Sequence, residues 1–240
     1  RSEMNMQLQN IHLKQEKIVV TGKGRVGRGI VEVISSIGIK QVSKEDFLSK
    51  SYNESVYVHL DTMDYNERID GGKGSKIDFY ENSHLYNSSF LKFANIADIF
   101  IAGHYYKQGA PFLFTREDAK KESFNLSVVA DISCDIDGPV ASTIRSSTIE
   151  DPIYGYSPEL EQEDDFKKES VIAVMAVDNL PCELPKDASL DFGHELINII
   201  PLLFQDNNQI IMNATICDQG DLTYQFEYLR DFLILNCSSF

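Results

Sequence analysis

Three glycines, Gly22, Gly24 and Gly27, follow the run Lys17-Ile18-Val19-Val20-Thr21, and this junction constrains the fold more than any other feature of the chain. The run is short and β-branched and stops at glycine, so it reads as a buried strand. Beyond the glycines, Val26, Ile30, Val33, Ile34 and Ile37 recur at helical spacing, and Gly38 is placed to cap the helix end. A strand that passes through Gly-x-Gly-x-x-Gly into a helix is the fingerprint of a dinucleotide-binding turn. Gly22 permits the sharp turn, Gly24 lets the backbone approach a pyrophosphate, and Gly27 lets helix and strand pack closely. Free amides at the helix start, in the turn that carries Arg25 and Val26, then favour phosphate, helped by the helix dipole.

A second short strand should lie near 40–43, and further runs read as strands at 56–60, 97–103, 126–132 and 171–177. Helices are expected at 83–95, 115–122 (Thr115 as cap, Asp118 three residues in) and 189–204, with a hairpin over 209–224 and a last helix over 224–233. Runs apolar on both faces and separated by helices make an α/β fold, a Rossmann doubly wound parallel sheet. That domain is expected over residues 14–180, with residues 1–13 and 185–240 as remnants of a second domain. The carboxyl ends of the strands should build the crevice. They nominate Gly103, His104 and Tyr105, then Asp131 and Asp135, then Asp178, Asn179 and Leu180. The motif also expects an acidic residue after the second strand. Glu45 and Asp46 stand there loosely, beside Lys44, which could instead meet a 2′-phosphate; equally, 43–46 could do no more than cap a helix. The choice between NAD and NADP stays open.

Composition narrows the partners. The 240 residues carry 22 basic against 37 acidic side chains, a net charge of −15 that repels phosphate backbones and argues against nucleic acid. The acidic run 159–165 reads as a solvated loop rather than a metal site. Cys134, Cys182, Cys217 and Cys237 form no Cys-x-x-Cys pair and have no histidine at ligand spacing, which suits a reducing cytoplasm and no bound metal. Cys134 reads as a small apolar filler. No window approaches eighteen consecutive apolar residues, so no membrane span is expected. The start lacks both an initiator Met and the apolar core of a signal peptide, so the segment is expected to be cut from a longer protein.

Several strings carry a family resemblance: GKGRVGRG at 22–29, GHYYKQGAPFLFTRED at 103–118, ADISCD at 130–135, STIEDP at 147–152 and VDNLPCELPKDAS at 177–189. The chain resembles the saccharopine dehydrogenase group of the alanine dehydrogenase and transhydrogenase superfamily. It looks nearest to the lysine-ketoglutarate reductase half of the bifunctional lysine-degrading enzymes. The resemblance implies a reversible, pyridine-nucleotide-linked oxidative deamination of a secondary amine, saccharopine to lysine plus 2-oxoglutarate. It implies that Asn179 and Leu180 lie near the nicotinamide and that Asp131 and Asp135 line the cleft. It also implies an upstream domain that carries a catalytic lysine and histidine, whereas only sixteen residues precede β-branched Lys17–Thr21 here. No catalytic pair can therefore be assigned; His104, Asp131 and Asp135 are the candidates within the chain. Two other readings stand beside this one: an amino-acid dehydrogenase nearer to alanine dehydrogenase, and a non-catalytic nucleotide-sensing domain. The apolar face of the tail is expected to make the protein a homo-oligomer.

Overall fold

The computed structural model describes residues 2–232. Helix α1 (Ser2–Leu8) leads to strand β1 (Lys17–Thr21) and α2 (Arg25–Ser36). Then follow β2 (Lys40–Gln41), α3 (Lys44–Ser49) and β3 (Val56–Leu60). An excursion holds β4 (Asn66–Arg68), α4 (Lys76–Glu81), β5 (Tyr86–Ser88) and α5 (Leu91–Ala94). The chain returns through β6 (Ile99–Ala102), α6 (Arg116–Ala119) and β7 (Val128–Asp131), then β8 (Ile153–Ser157), β9 (Gln162–Asp164) and β10 (Ile172–Met175). The remainder holds α7 (Pro185–Ile199), α8 (Gln209–Ala214) and the short pair β11 (Cys217–Asp218) and β12 (Asp221–Leu222). Contacts divide the chain into two compact units, Arg1–Glu183 and Leu184–Phe240. Of the two segments expected as remnants of a second domain, 1–13 falls in the first unit and 185–240 in the second. Gln9 donates to the Ser36 carbonyl at 3.2 Å, and Leu13 packs against the apolar cluster of Ile18, Val20, Ile30 and Ile34.

Eight strands form the main sheet in the order β2-β3-β1-β6-β7-β10-β8-β9. The first six run parallel, and β8 and β9 are antiparallel additions at one edge. This is the Rossmann-like α/β fold, mostly rather than wholly parallel. Successive residues of β1 point to opposite faces and both faces are covered: Ile18 and Val20 face α2, while Val19 joins Val58, Phe93 and Phe100 on the other side. The acidic run, expected as a loop, includes β9, where Glu163 takes both Nε and Nη2 of Arg145 at 2.7 Å.

The placement of β3 matters most for the site. Its residues are buried on both faces, so it belongs inside the sheet, whereas β2 is two exposed polar residues and belongs at the edge. β3 therefore separates β2 from β1.

Three further segments differ from expectation. Residues 83–95 do not make one helix, because Asn87, Ser88 and Ser89 favour turn conformations. Tyr86–Ser88 pairs with β4, and Ser88 Oγ donates to the Leu113 carbonyl at 3.0 Å while accepting the Phe90 N–H at 3.2 Å. The first arm of the 209–224 hairpin is α8, whose start is capped by Asn208 taking the Ile210 N–H at 3.1 Å. The hairpin shrinks to β11 and β12. Residues 224–229 form a 3₁₀ rather than an α-helix, and Leu233 lies outside the described residues.

Candidate functional site

The Gly22 turn is held between the two strands that flank β1. Its N–H donates to the Leu60 carbonyl at the end of β3, and the Gly103 N–H donates to the Thr21 carbonyl, both at 3.1 Å. His59 Nε2 lies 2.7 Å from the Gly22 carbonyl, which it satisfies as donor. Gly22 has φ +89°, and a Cβ there would stand 2.2 Å from the Gly103 oxygen. A Cβ on Gly27 would stand 1.6 Å from the Gly22 oxygen, so α2 reaches β1 this closely only because Gly27 has no side chain. Gly24 differs: beyond its own chain neighbours, nothing comes within 4 Å of where its Cβ would be. That open side, at the start of a twelve-residue helix, suits the approach of a pyrophosphate.

Around the turn lies a crevice of about 720 Å³. Gly22, Gly24, Arg25 and Val26 form one wall, Gly103, His104, Tyr105 and Tyr106 another, and Asp61, Lys76 and Tyr80 a third; Ser133 and Asp135 close it. The sequence-nominated residues Gly22, Gly24, Arg25, Val26, Gly103, His104, Tyr105 and Asp135 thus come together, and Gly27 packs beneath them.

Other nominated residues lie elsewhere. Asp46 is on α3, where its N–H bonds Ser43 Oγ at 3.1 Å and its carboxylate pairs with Lys50 at 2.9 Å. Ser43 caps that helix, the structural alternative foreseen for 43–46. Glu45 lines a neighbouring depression that shares Lys23 and Asp61 with the crevice. Asp178, Asn179 and Leu180 follow β10 and do not line the crevice.

Asp131, at the end of β7, is fully buried and lies under the floor. Its carboxylate accepts the Ser133 hydroxyl at 2.6 Å, the Thr143 hydroxyl at 2.7 Å, and the Ser133 and Cys134 N–H groups at 3.1 Å. These four bonds shape the 131–143 loop and make it a framework residue. Burial, then the Asp131 charge, pushes the Asp135 carboxyl upward. Burial, reinforced by Asp131, Asp178 and Asp135, pushes the Cys134 thiol up to about 11, which leaves it protonated at neutral pH and a poor nucleophile. Its Sγ–H donates to the Ala176 carbonyl at 3.2 Å.

Asp61 was not nominated. It directly follows β3, the strand that adjoins β1, and is the acidic residue at the place the motif requires. Its Oδ1 accepts the Thr62 N–H at 2.8 Å and pairs with Lys76 at 2.6 Å. Burial works to raise this carboxyl, but Lys76 and the Thr62 N–H outweigh it and hold it below the usual range. The signal available was the apolar run before it, which marks β3 as an interior strand.

Glycine turn, strand order and crevice together define a Rossmann-type dinucleotide-binding domain. Over residues 4–229 the chain matches the family model described as alanine dehydrogenase/PNT, C-terminal domain, and it belongs to that family. Membership implies a nicotinamide dinucleotide as ligand and an oxidoreductase setting. Among curated proteins, it is 27% identical over 248 residues to the mouse protein named alpha-aminoadipic semialdehyde synthase, mitochondrial, covering 88% of this chain and 26% of that protein. A protein named alpha-aminoadipic semialdehyde synthase from Arabidopsis thaliana is 25% identical over 236 residues, covering 88% of this chain and 22% of its own length. The chain thus spans about a quarter of the mouse relative. No helix of the described residues is long and apolar enough to cross a membrane.

Proposed function

We propose that this chain is the NAD(P)-binding portion of a saccharopine-dehydrogenase-like oxidoreductase, one that interconverts saccharopine with lysine and 2-oxoglutarate. The observation that carries the reading is the open face of Gly24 at the head of α2, between the end of β3 and the end of β6. Similarity over 88% of the chain to proteins named alpha-aminoadipic semialdehyde synthase supports the lysine-linked substrate. The nicotinamide ring supplies the two-electron redox chemistry. This chain's residues bind and orient: the α2 amides and Arg25 hold phosphate, and Asp61 takes the hydroxyls of the adenosine ribose. The resemblance assigns the acid and base to a lysine and a histidine of an upstream domain, so the chain alone turns over little or nothing.

Asp61 favours NAD over NADP. A 2′-phosphate at that rim would meet a carboxylate whose nearest cation, Lys76, is already paired with it. The test is calorimetric titration of the purified chain with NADH and NADPH. NADH should bind more tightly, and Asp61→Ser should narrow the difference. Tighter NADPH overturns the assignment of NAD, and binding of neither by folded protein overturns the cofactor site.

The name of the matching family favours a second reading, a parent enzyme nearer to alanine dehydrogenase. Assays of the full-length protein with alanine and with saccharopine separate the two. The exposed apolar residues between Leu184 and Phe232 support self-association, which a monomer in sedimentation at high concentration would contradict. A cytoplasmic location rests on Cys134, Cys182 and Cys217 being free, whereas the mouse relative carries the word mitochondrial in its name. Imaging the tagged full-length protein decides between the compartments.

A further inference from the structure

His104 leaves β6 directly after Gly103 and is buried, with 8% of the residue exposed. Nδ1 is 2.9 Å from the Thr21 hydroxyl at the end of β1. Tyr65 packs against the ring near edge-on, with centroids 6.2 Å apart. Nε2 is fully buried and has no hydrogen-bond partner among the described residues. An imidazole nitrogen buried and unbonded is unfavourable, and native folds keep few of them. Protonation gives the ring no relief at neutral pH, because burial pushes its pKa down to about 4 against the opposing charge of Asp131. His104 is among the residues that line the crevice, with Nε2 shielded from solvent behind its surface, so a ligand seated there would complete the nitrogen after a small turn of the ring.

Position and chemistry narrow the partner. In a doubly wound sheet the two halves of a dinucleotide lie to either side of the first strand. Asp61 and Lys76 mark the β3 side as the adenosine side, which leaves the β6 side, where His104 sits, to the nicotinamide nucleotide. The groups there are phosphate, ribose and ring. A neutral imidazole brings no charge for phosphate, and the cations of the crevice, Lys23, Arg25 and Lys76, stand elsewhere. A hydroxyl suits it in either tautomer. If Thr21 donates to Nδ1, Nε2 carries the proton and donates; if Thr21 accepts, Nε2 accepts, and a hydroxyl answers both.

We propose that His104 Nε2 bonds a ribose hydroxyl of the nicotinamide half of the bound dinucleotide. His104 then reads the cofactor and is not the acid or base of the reaction. This role rests on the dinucleotide reading of the crevice, and the experiment separates the two.

Calorimetric titration with NADH is made on the wild-type chain, on His104→Asn and on His104→Gln. Asparagine keeps an amide near the Nδ1 position, beside Thr21, but cannot reach the Nε2 position; glutamine reaches it. His104→Asn should weaken NADH about tenfold, the scale of one neutral hydrogen bond, and His104→Gln should recover most of the loss. A bond to Thr21 alone predicts the reverse order, and that result overturns the proposal. So does wild-type affinity in His104→Asn. Failure of the wild-type chain to bind NADH overturns the dinucleotide reading, and this role with it. Should the variants not fold, ¹⁵N NMR of the wild-type chain carries the test. The His104 Nε2 resonance should move with NADH and stay with AMP, and equal movement, or none, overturns the proposal.

Discussion

The two compact units treat the same kinds of side chain in opposite ways. In Arg1–Glu183, Phe47, Phe90, Phe100 and Phe114 are all 0% exposed. From Leu184 to Phe232 no residue is buried, and Phe192, Phe204 and Tyr224 are 66%, 84% and 94% exposed. A sheet covered on both faces closes its own core, and the crevice at its strand ends inherits that rigidity. The second unit has local devices instead: Pro185 in the first turn of α7, and Asn208 capping α8. Such signals start and stop helices, but most helical stability in proteins comes from burying a face. Stability and ligand binding should therefore both reside in the first unit.

The sharpest test is a core deletion. Phe100 lies on β6, with its ring centroid 4.7 Å from that of Phe90. Phe100→Ala should cost about 3–5 kcal/mol in urea denaturation. A loss below about 1 kcal/mol would show that the core is not where the burial pattern puts it.

A pH effect of roughly 3 kcal/mol comes next. The unfolded His104 titrates near 6.5 and the folded one near 4, so the unfolded state takes up its proton first. Stability contributed by the neutral ring is complete above pH 6.5, falls through the window to about pH 4 and is flat below it; the drop is roughly 3 kcal/mol. His104→Leu should flatten this slope. An equal slope in the variant would assign acid sensitivity to other groups.

The glycine turn gives a smaller effect on stability and a larger one on binding. Gly27→Ala drives a Cβ to 1.6 Å from the Gly22 oxygen, so α2 must move off β1. The expected cost is about 1–3 kcal/mol, together with a loss of NADH affinity that Gly24→Ala reproduces at little cost in stability. Undiminished NADH binding in both variants would detach the ligand from the turn.

How much of this was legible depended on the range of the signal. The β1–turn–α2 unit is written locally, in a β-branched run, three spaced glycines and a helical stripe. Five of the six parallel strands show as apolar runs; β2, Lys40–Gln41, does not. The antiparallel edge does not: Tyr154, Gly155 and Tyr156 alternate weakly, and Gln162–Asp164 is wholly polar, with partners that only the sheet supplies. Asp61 was missed for a related reason. Whether 40–43 or 56–60 adjoins β1 is a property of the pairing, and counting residues from Gly27 led to Glu45 and Asp46. The contrast between exposed Lys40 and Gln41 and a β3 buried on both faces was the usable sign. The work of Asp131 was hidden likewise, since Thr143 reaches it from a distant part of the loop.

The smallest expected effect bears hardest on the comparison. Phe204→Ser removes a large apolar side chain, as Phe100→Ala does, yet in dilute, monomeric protein it should change stability by no more than about 0.5 kcal/mol, because the residue is 84% exposed within the chain. Ending the chain after Glu183 extends the same argument. Every residue lining the crevice lies between Gly22 and Asp135, so the shortened chain should bind NADH within about twofold of the intact one. Loss of binding on truncation would mean that NADH binding needs residues beyond Glu183. Loss of stability in Phe204→Ser would mean that its ring is covered when the protein is in solution, and sedimentation of the same variant would show, by a shift toward the monomer, whether a second copy supplies the cover.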